Sequence, residues 1–264
     1  MRVISIFICV FLCGSLSEAC AEDITPSFSQ KLDIQVRYDN RSNRPSREQY
    51  RLRYYPSLAL TSTWSVNSFI VTGDDFSSSH NTFGSDTTDY LYARRLYLRH
   101  ETNAGKTELG IIPTYKGRVS STGLSKDGWI TGIRHVRKLQ NNTALEIVVG
   151  QLANAEASEA FNVGEEDEYF EIEYSAKMGE RHSYEASFER MLNGTFARAE
   201  YRFRINEEDT AFVELVQRTD ESAAKIVVGT SGEFTMNAFN TAYPVEYFAY
   251  YSYIDSSFGE RAEL

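Results

Sequence analysis

The feature that most narrows what this chain can fold into is a two-residue alternation sustained over long segments. In "FARAEYRFRIN", Ala197, Ala199, Tyr201, Phe203 and Ile205 fall on one side of an extended strand. Arg198, Glu200, Arg202 and Arg204 fall on the other, because successive side chains of a strand point to opposite faces. "LDIQVRYD" sets Leu32, Ile34, Val36 and Tyr38 against Asp33, Gln35, Arg37 and Asp39. "YRLRYYPSLAL" sets Tyr50, Leu52, Tyr54, Leu58 and Leu60 against Arg51, Arg53, Tyr55 and Ser57. "YFEIEYSA" and "SYEASFER" repeat the pattern with Glu171, Glu173, Glu185 and Glu189 on the polar side. A 3.6-residue period is nowhere comparably strong, so the chain reads as all-β.

Alternation alone suits two architectures. A soluble sandwich turns its apolar face to a core, whereas a membrane barrel turns that face to lipid and its polar face to a lumen. Three features favour the barrel. The segments run about 9 to 12 residues, the length of a membrane-crossing strand. Short connections (61–65, 102–106, 139–143, 176–180, 205–209) alternate with longer ones (40–48, 73–89, 114–128, 153–168), as turns and loops do on the two sides of an outer-membrane barrel. Aromatic residues sit near segment ends: Trp64, Tyr90, Tyr92, Trp129, Tyr169, Tyr247, Tyr251 and Tyr253 could form interfacial girdles. The expected fold is an antiparallel up-and-down transmembrane β-barrel of about 12 to 14 strands, with 14 favoured. The count turns on weak segments such as 233–239, read as separate from 224–231. An even number would put both termini on the short-turn side.

The N-terminus supports export. Arg2 precedes the apolar run "VISIFICVFLCG", and Ala19 and Ala21 are small residues suited to cleavage, so residues 1–21 read as a signal peptide and 22–264 as one barrel domain. Lipidation of Cys20 is the competing reading, but Ser17 stands where leucine is usual. Cys9, Cys13 and Cys20 all lie within this segment, leaving no cysteine for disulfides in the remainder. The net charge of −10 argues against a nucleic-acid partner.

Charge is unevenly distributed. Residues 31–140 carry 17 Lys+Arg against 10 Asp+Glu, and residues 141–264 carry 9 against 24. In a closed barrel these halves form opposite walls. Arg37, Arg51, Arg53, Arg95, Arg99 and Arg134 are the candidate basic lining. Glu146, Glu171, Glu173, Glu185, Glu189, Glu200 and Glu214 are the acidic one, interrupted by Arg198, Arg202 and Arg204, which should pair with neighbouring carboxylates. Opposed charges across a narrow pore set ion selectivity, while the same charges in a filled lumen would be structural ion pairs. One strand strains the simple register. In "YLYARRLYLRHETNAGK", Arg95, Tyr97 and Arg99 suit the polar face, which leaves Arg94 on the lipid side. It must reach the headgroups or be turned inward by a bulge.

No catalytic constellation is legible. Among His80, His100, His135 and His182, the strand segment "RHSYE" sets His182 beside Ser183, but adjacent strand residues face apart. Asp74, Asp75, Asp86 and Asp89 lack a regular ligand spacing, and "GEEDE" (164–168) reads as a solvated loop tip, so no metal site or cofactor is expected.

"YARRLYLRHETNAGKTELGI" resembles the strand–turn–strand hairpin of Gram-negative outer-membrane porins. "YRLRYYPSLALTSTWSV" is similar to hairpins of porin-like and alginate-export-like barrels, and the resemblance spans residues 28–152. It implies passive diffusion of ions or small hydrophilic, including anionic, solutes across the outer membrane of a Gram-negative bacterium. It also implies contact with outer-membrane lipid and lipopolysaccharide, delivery by the barrel-assembly machinery, and a homo-oligomer as one option. A non-conducting structural or adhesion barrel with a plugged lumen is the alternative. Two departures stand out. Porins have about 16 to 18 strands. They also end in Phe or Trp, whereas "DSSFGERAEL" trails here to Leu264.

Overall fold

The computed structural model describes residues 26–41, 44–76, 79–84, 87–114, 127–152, 156–162, 168–191, 194–238 and 241–258. The segment read as a signal peptide, most of 114–128 and most of "GEEDE" lie outside them. The protein is a single antiparallel sheet of 14 strands. In chain order they are Ser27–Arg41 (β1), Arg44–Ala59 (β2), Trp64–Thr72 (β3), Asn81–Thr82 (β4), Leu91–Thr102 (β5), Gly105–Pro113 (β6), Trp129–Lys138 (β7), Thr143–Gln151 (β8), Tyr169–Met178 (β9), His182–Met191 (β10), Gly194–Arg204 (β11), Thr210–Arg218 (β12), Ala223–Ala238 (β13) and Thr241–Ile254 (β14). Each strand pairs with the next, except that β4 lies off this path and pairs with β2.

Local chemistry explains the hairpins. At the β7–β8 turn, Asn141 and Asn142 both adopt positive φ (59° and 57°), the backbone of a tight hairpin turn matched to strand twist. At the β2–β3 turn, the Thr61 hydroxyl accepts hydrogen bonds from the backbone N–H groups of Thr63 and Trp64 (3.2 and 3.0 Å). The β5–β6 turn needs Gly105, because a Cβ there would lie 2.0 Å from the Val136 carbonyl oxygen.

Four expectations change. Segments 224–231 and 233–239 are one continuous strand, β13, so the ladder to β14 runs unbroken from Lys225↔Ile254 to Ala238↔Thr241. The expected loop at 40–48 is mostly strand, since β1 extends to Arg41 and β2 begins at Arg44. Trp129 and Tyr169 are buried rather than interfacial; Trp129 packs on Phe76, with ring centroids 4.9 Å apart, and the Tyr169 hydroxyl donates to Glu171. Finally, β4 runs beside β2 where β3 has ended, with Arg53↔Val71 followed by Gln49↔Thr82, so it continues the course of β3 without recrossing. Thirteen strands therefore cross the sheet. β1 begins at the short-turn end, where Ser27 pairs with Ala59, and β14 finishes at the other end beside the β12–β13 turn, where Ile254 pairs with Lys225. The start of β1 and the end of β14 are thus at opposite ends of the sheet.

Cross-strand register divides the sheet into two faces. On one, Phe28, Ile34, Val36, Leu109, Val228 and Tyr251 are exposed, the last at 74%. The other is polar and largely covered, and its end nearest the long loops is apolar. There Ile112, Ile130, Val148, Tyr169, Met191, Phe196, Val216 and Ala223 pack with Phe76, Leu152, Ala157, Ala160 and Phe258, which come from loops and the C-terminal segment.

Candidate pore-lining face

The ladders put all sixteen charged residues singled out above on one face. Arg37, Arg51 and Arg53 share it through Arg37↔Gln49 and Arg53↔Val71, and Phe69↔Arg95, Arg99↔Glu108 and Glu108↔Arg134 carry it to β7. The rows Glu146↔Glu173↔Ser187↔Arg198 and Glu189↔Glu171 continue it, as do Glu185↔Glu200↔Glu214, Ser183↔Arg202 and Arg204↔Thr210.

The doubled arginine shows how sequence becomes geometry. Between β3 and β5 the register slips, pairing Phe69 with Arg95 but Ile70 with Ala93, so Arg94 is the extra residue of a β-bulge. The bulge takes Arg94 off the apolar face. Its guanidinium donates to the carbonyls of Asp75 (2.7 Å), Gly73 (2.9 Å) and Thr72 (3.2 Å) and lies over the Trp129 ring. Arg95 donates to the Gly128 carbonyl at 2.7 Å and stacks on Phe69, 4.5 Å from the ring centroid. The pair thus ties loop 73–90 and the start of β7 to the sheet.

Three charge clusters follow around the face. In the first, Arg53 bonds Asp127 at 2.7 Å, and Ser79 donates to the same carboxylate. Burial opposes ionisation of Asp127, but those hydrogen bonds and the charges of Arg53 and Arg51 hold its carboxyl below the usual range. His80 is pushed down to about 4 by burial and by Arg37, Arg51 and Arg53. The Arg51 Nε has no hydrogen-bond partner among the described residues. In the second, Glu108 is fully buried between Arg134 (2.9 Å), Arg99 (2.7 Å) and Lys106 (3.5 Å), and Arg134 also reaches Glu146 at 2.9 Å. In the third, Arg198 is surrounded by Glu173, Glu185, Glu200 and Glu214, and Arg202 joins through Glu200. One guanidinium shared among four carboxylates is what a lone cation on an acidic wall must become, since an unpaired buried charge is costly.

At the short-turn end the face opens. A cavity of about 490 Å³ is lined by Lys177, Glu180, Arg181, Ser183, Arg202, Arg204 and Thr210 among others. Arg204, read from sequence as a partner for neighbouring carboxylates, forms no ion pair among the described residues.

A row of small residues escaped the sequence reading. Tyr97↔Gly110↔Gly132↔Gly150↔Tyr169 is one lateral line across β5 to β9. A Cβ on Gly132 would meet the Val149 carbonyl oxygen at 2.1 Å, and one on Gly150 the Thr131 oxygen at 2.4 Å. Three glycines at matched positions of consecutive strand segments were the available signal, but their alignment depends on register.

No family model matches the chain, and no curated relative is found. Solved structures do match. A triple mutant of the Rh. blastica porin superposes with a TM-score of 0.56 at 12% identity, covering 88% of this chain and 86% of that one. A second triple mutant and a double mutant of the same porin give TM-scores of 0.54 and 0.53, both at 11% identity with the same coverage. With its up-and-down antiparallel sheet, apolar outer face and charged inner face, the chain has the porin-like fold of an outer-membrane β-barrel.

Proposed function

We propose that this chain is a narrow outer-membrane channel for passive diffusion of ions and small hydrophilic solutes. The observation that carries the reading is the two-faced sheet, in which a broad exposed apolar face backs a continuous charged one. In a membrane the first meets lipid and the second lines water. The charged face is balanced on β1, basic on β2, β5 and β7 and mainly acidic from β8 to β12, so the two walls of the lumen oppose each other in sign. Arg37, Arg51, Arg53, Arg95, Arg99, Arg134, Arg198, Arg202 and Arg204 supply the basic lining. Glu146, Glu171, Glu173, Glu185, Glu189, Glu200 and Glu214 supply the acidic one. Packing of Phe76, Leu152, Ala157, Ala160 and Phe258 against the loop end of this face constricts the pore and favours small solutes. The reading is a channel rather than an enzyme: His182 and Ser183 fall on opposite faces, with His182 beside Tyr201 on the apolar side.

Planar-bilayer recording tests this. The purified protein should give discrete conductance steps, and Arg51→Glu should move the reversal potential in a salt gradient towards cation preference. A protein that is folded, shown by heat-modifiable migration on gels, yet electrically silent would instead support a structural or adhesion barrel with a plugged lumen.

A further inference from the structure

We propose that β1 and β14 of the same molecule pair in parallel, closing the barrel with an odd number of crossing strands. The proposal rests on the membrane reading above and adds how the sheet closes. Thirteen strands alternate in direction along an unbroken meander, so the first and last run the same way. The direction of β4 does not change this, because that strand continues the course of β3. Among the described residues, each of β1 and β14 has a ladder partner on one side only, β2 and β13. They are long, 15 and 14 residues, so each would present an extended row of backbone donors and acceptors. An open edge of that length is not tolerated in hydrocarbon, where backbone groups find no water.

The two edges fit each other. They match in length, and the faces correspond: Leu32, Ile34 and Val36 of β1 continue the apolar surface of Tyr247, Ala249 and Tyr251 of β14. Charge points to the register. Glu233 and Glu246 are directly paired on the inner face, a like-charge juxtaposition that costs stability without a cation nearby, and neither forms an ion pair among the described residues. Counted from the short-turn end, Lys31 is the fifth residue of β1 and Glu246 the sixth of β14, and both belong to the inner face. Pairing Lys31 with Glu246 sets Leu32 against Tyr247, Ile34 against Ala249 and Val36 against Tyr251. A second copy of the chain is the other candidate for these edges. It would also have to cover both edges at once, whereas self-closure satisfies both with no further component.

Engineered disulfides in the full chain, assembled in outer membranes, test the seam. Leu32→Cys with Tyr247→Cys, and Ile34→Cys with Ala249→Cys, should oxidise within one chain, seen as a reducible mobility change at monomer mass. Pairs shifted by two residues cover a slip in register. Disulfides that appear only between chains would overturn the proposal in favour of a second copy, and none at any pair in a heat-modifiable barrel would overturn parallel closure. Lys31→Glu should lower the temperature at which the barrel loses heat-modifiable migration, and adding Glu246→Lys should restore it. A protease site appended after Leu264 should be cut in intact cells, because the last strand ends on the long-loop side. Protection there, with cutting only after the envelope is opened, would contradict the odd count. If the unmodified protein is absent from membranes and not heat-modifiable, the membrane reading itself fails, and the two failures are distinguishable.

Discussion

At the scale of the residue, buried guanidinium groups carry much of the local order. Arg94 collects three carbonyls from the chain leaving β3, a task suited to a planar fork with several fixed donors. Arg94→Ala leaves those acceptors unpaired, with an expected cost of about 3 kcal/mol in a denaturant titration of the refolded barrel, and Arg94→Lys recovers only part of it. Arg198→Met should cost about 3–5 kcal/mol, because four clustered carboxylates lose their shared cation. His80 gives the loop after β3 a pH response. Its docked value of about 4 lies below the ordinary 6.5, so docking is fully favourable above 6.5 and weakens as pH falls from 6.5 towards 4, where the undocked state takes up the proton first. Proteolysis of residues 73–90 should accelerate over that window, and His80→Gln should flatten the dependence.

Elements are held in register by where side chains are missing as much as by where they are present. The line Gly110–Gly132–Gly150 lets β6, β7 and β8 approach closely between Tyr97 and Tyr169. Gly132→Val would drive a branched side chain into the backbone of β8, and loss of the heat-modifiable species is the expected outcome. The loop end of the inner face depends on elements that cross no membrane. The segment after β14 turns inward so that Phe258 packs on Phe196, and Arg218 donates to the Phe258 carbonyl. Phe258→Ala should therefore widen the mouth and raise single-channel conductance, with little change in the fraction folded.

For the whole molecule, the proposed permeation and the stability of the sheet draw on the same charges. On the proposed channel reading, the clusters around Glu108 and Arg198, being almost fully covered, act on solutes through their field more than by contact, while half-buried Arg51, exposed Arg204 and the cations around the short-turn cavity are within reach of solutes. Ion preference should accordingly respond more to Arg51 and Arg204 than to Arg134. Parity of the strand count decides a further global property: thirteen crossings put the start of β1 and the end of β14 at opposite ends of the sheet.

The alternation of Arg198, Glu200, Arg202 and Arg204 with Ala197, Ala199, Tyr201 and Phe203 determined an all-β chain with one charged and one apolar face, because a strand's side-chain period is a local property of the backbone. It placed every charged candidate on a face for the same reason. What it could not decide depended on contacts between residues distant in sequence. A lone Arg94 does not reveal which way it leaves the strand until Asp75 and Trp129 are brought beside it. Gly232 does not reveal that β13 passes through it unbroken until β14 pairs along its whole length. Glycines 110, 132 and 150 become a single structural line only when three strands are in register. The side of the sheet on which each residue lies followed from the sequence alone; tertiary structure decided its neighbours, and with them the parity of the strands and the apolar packing at the loop end.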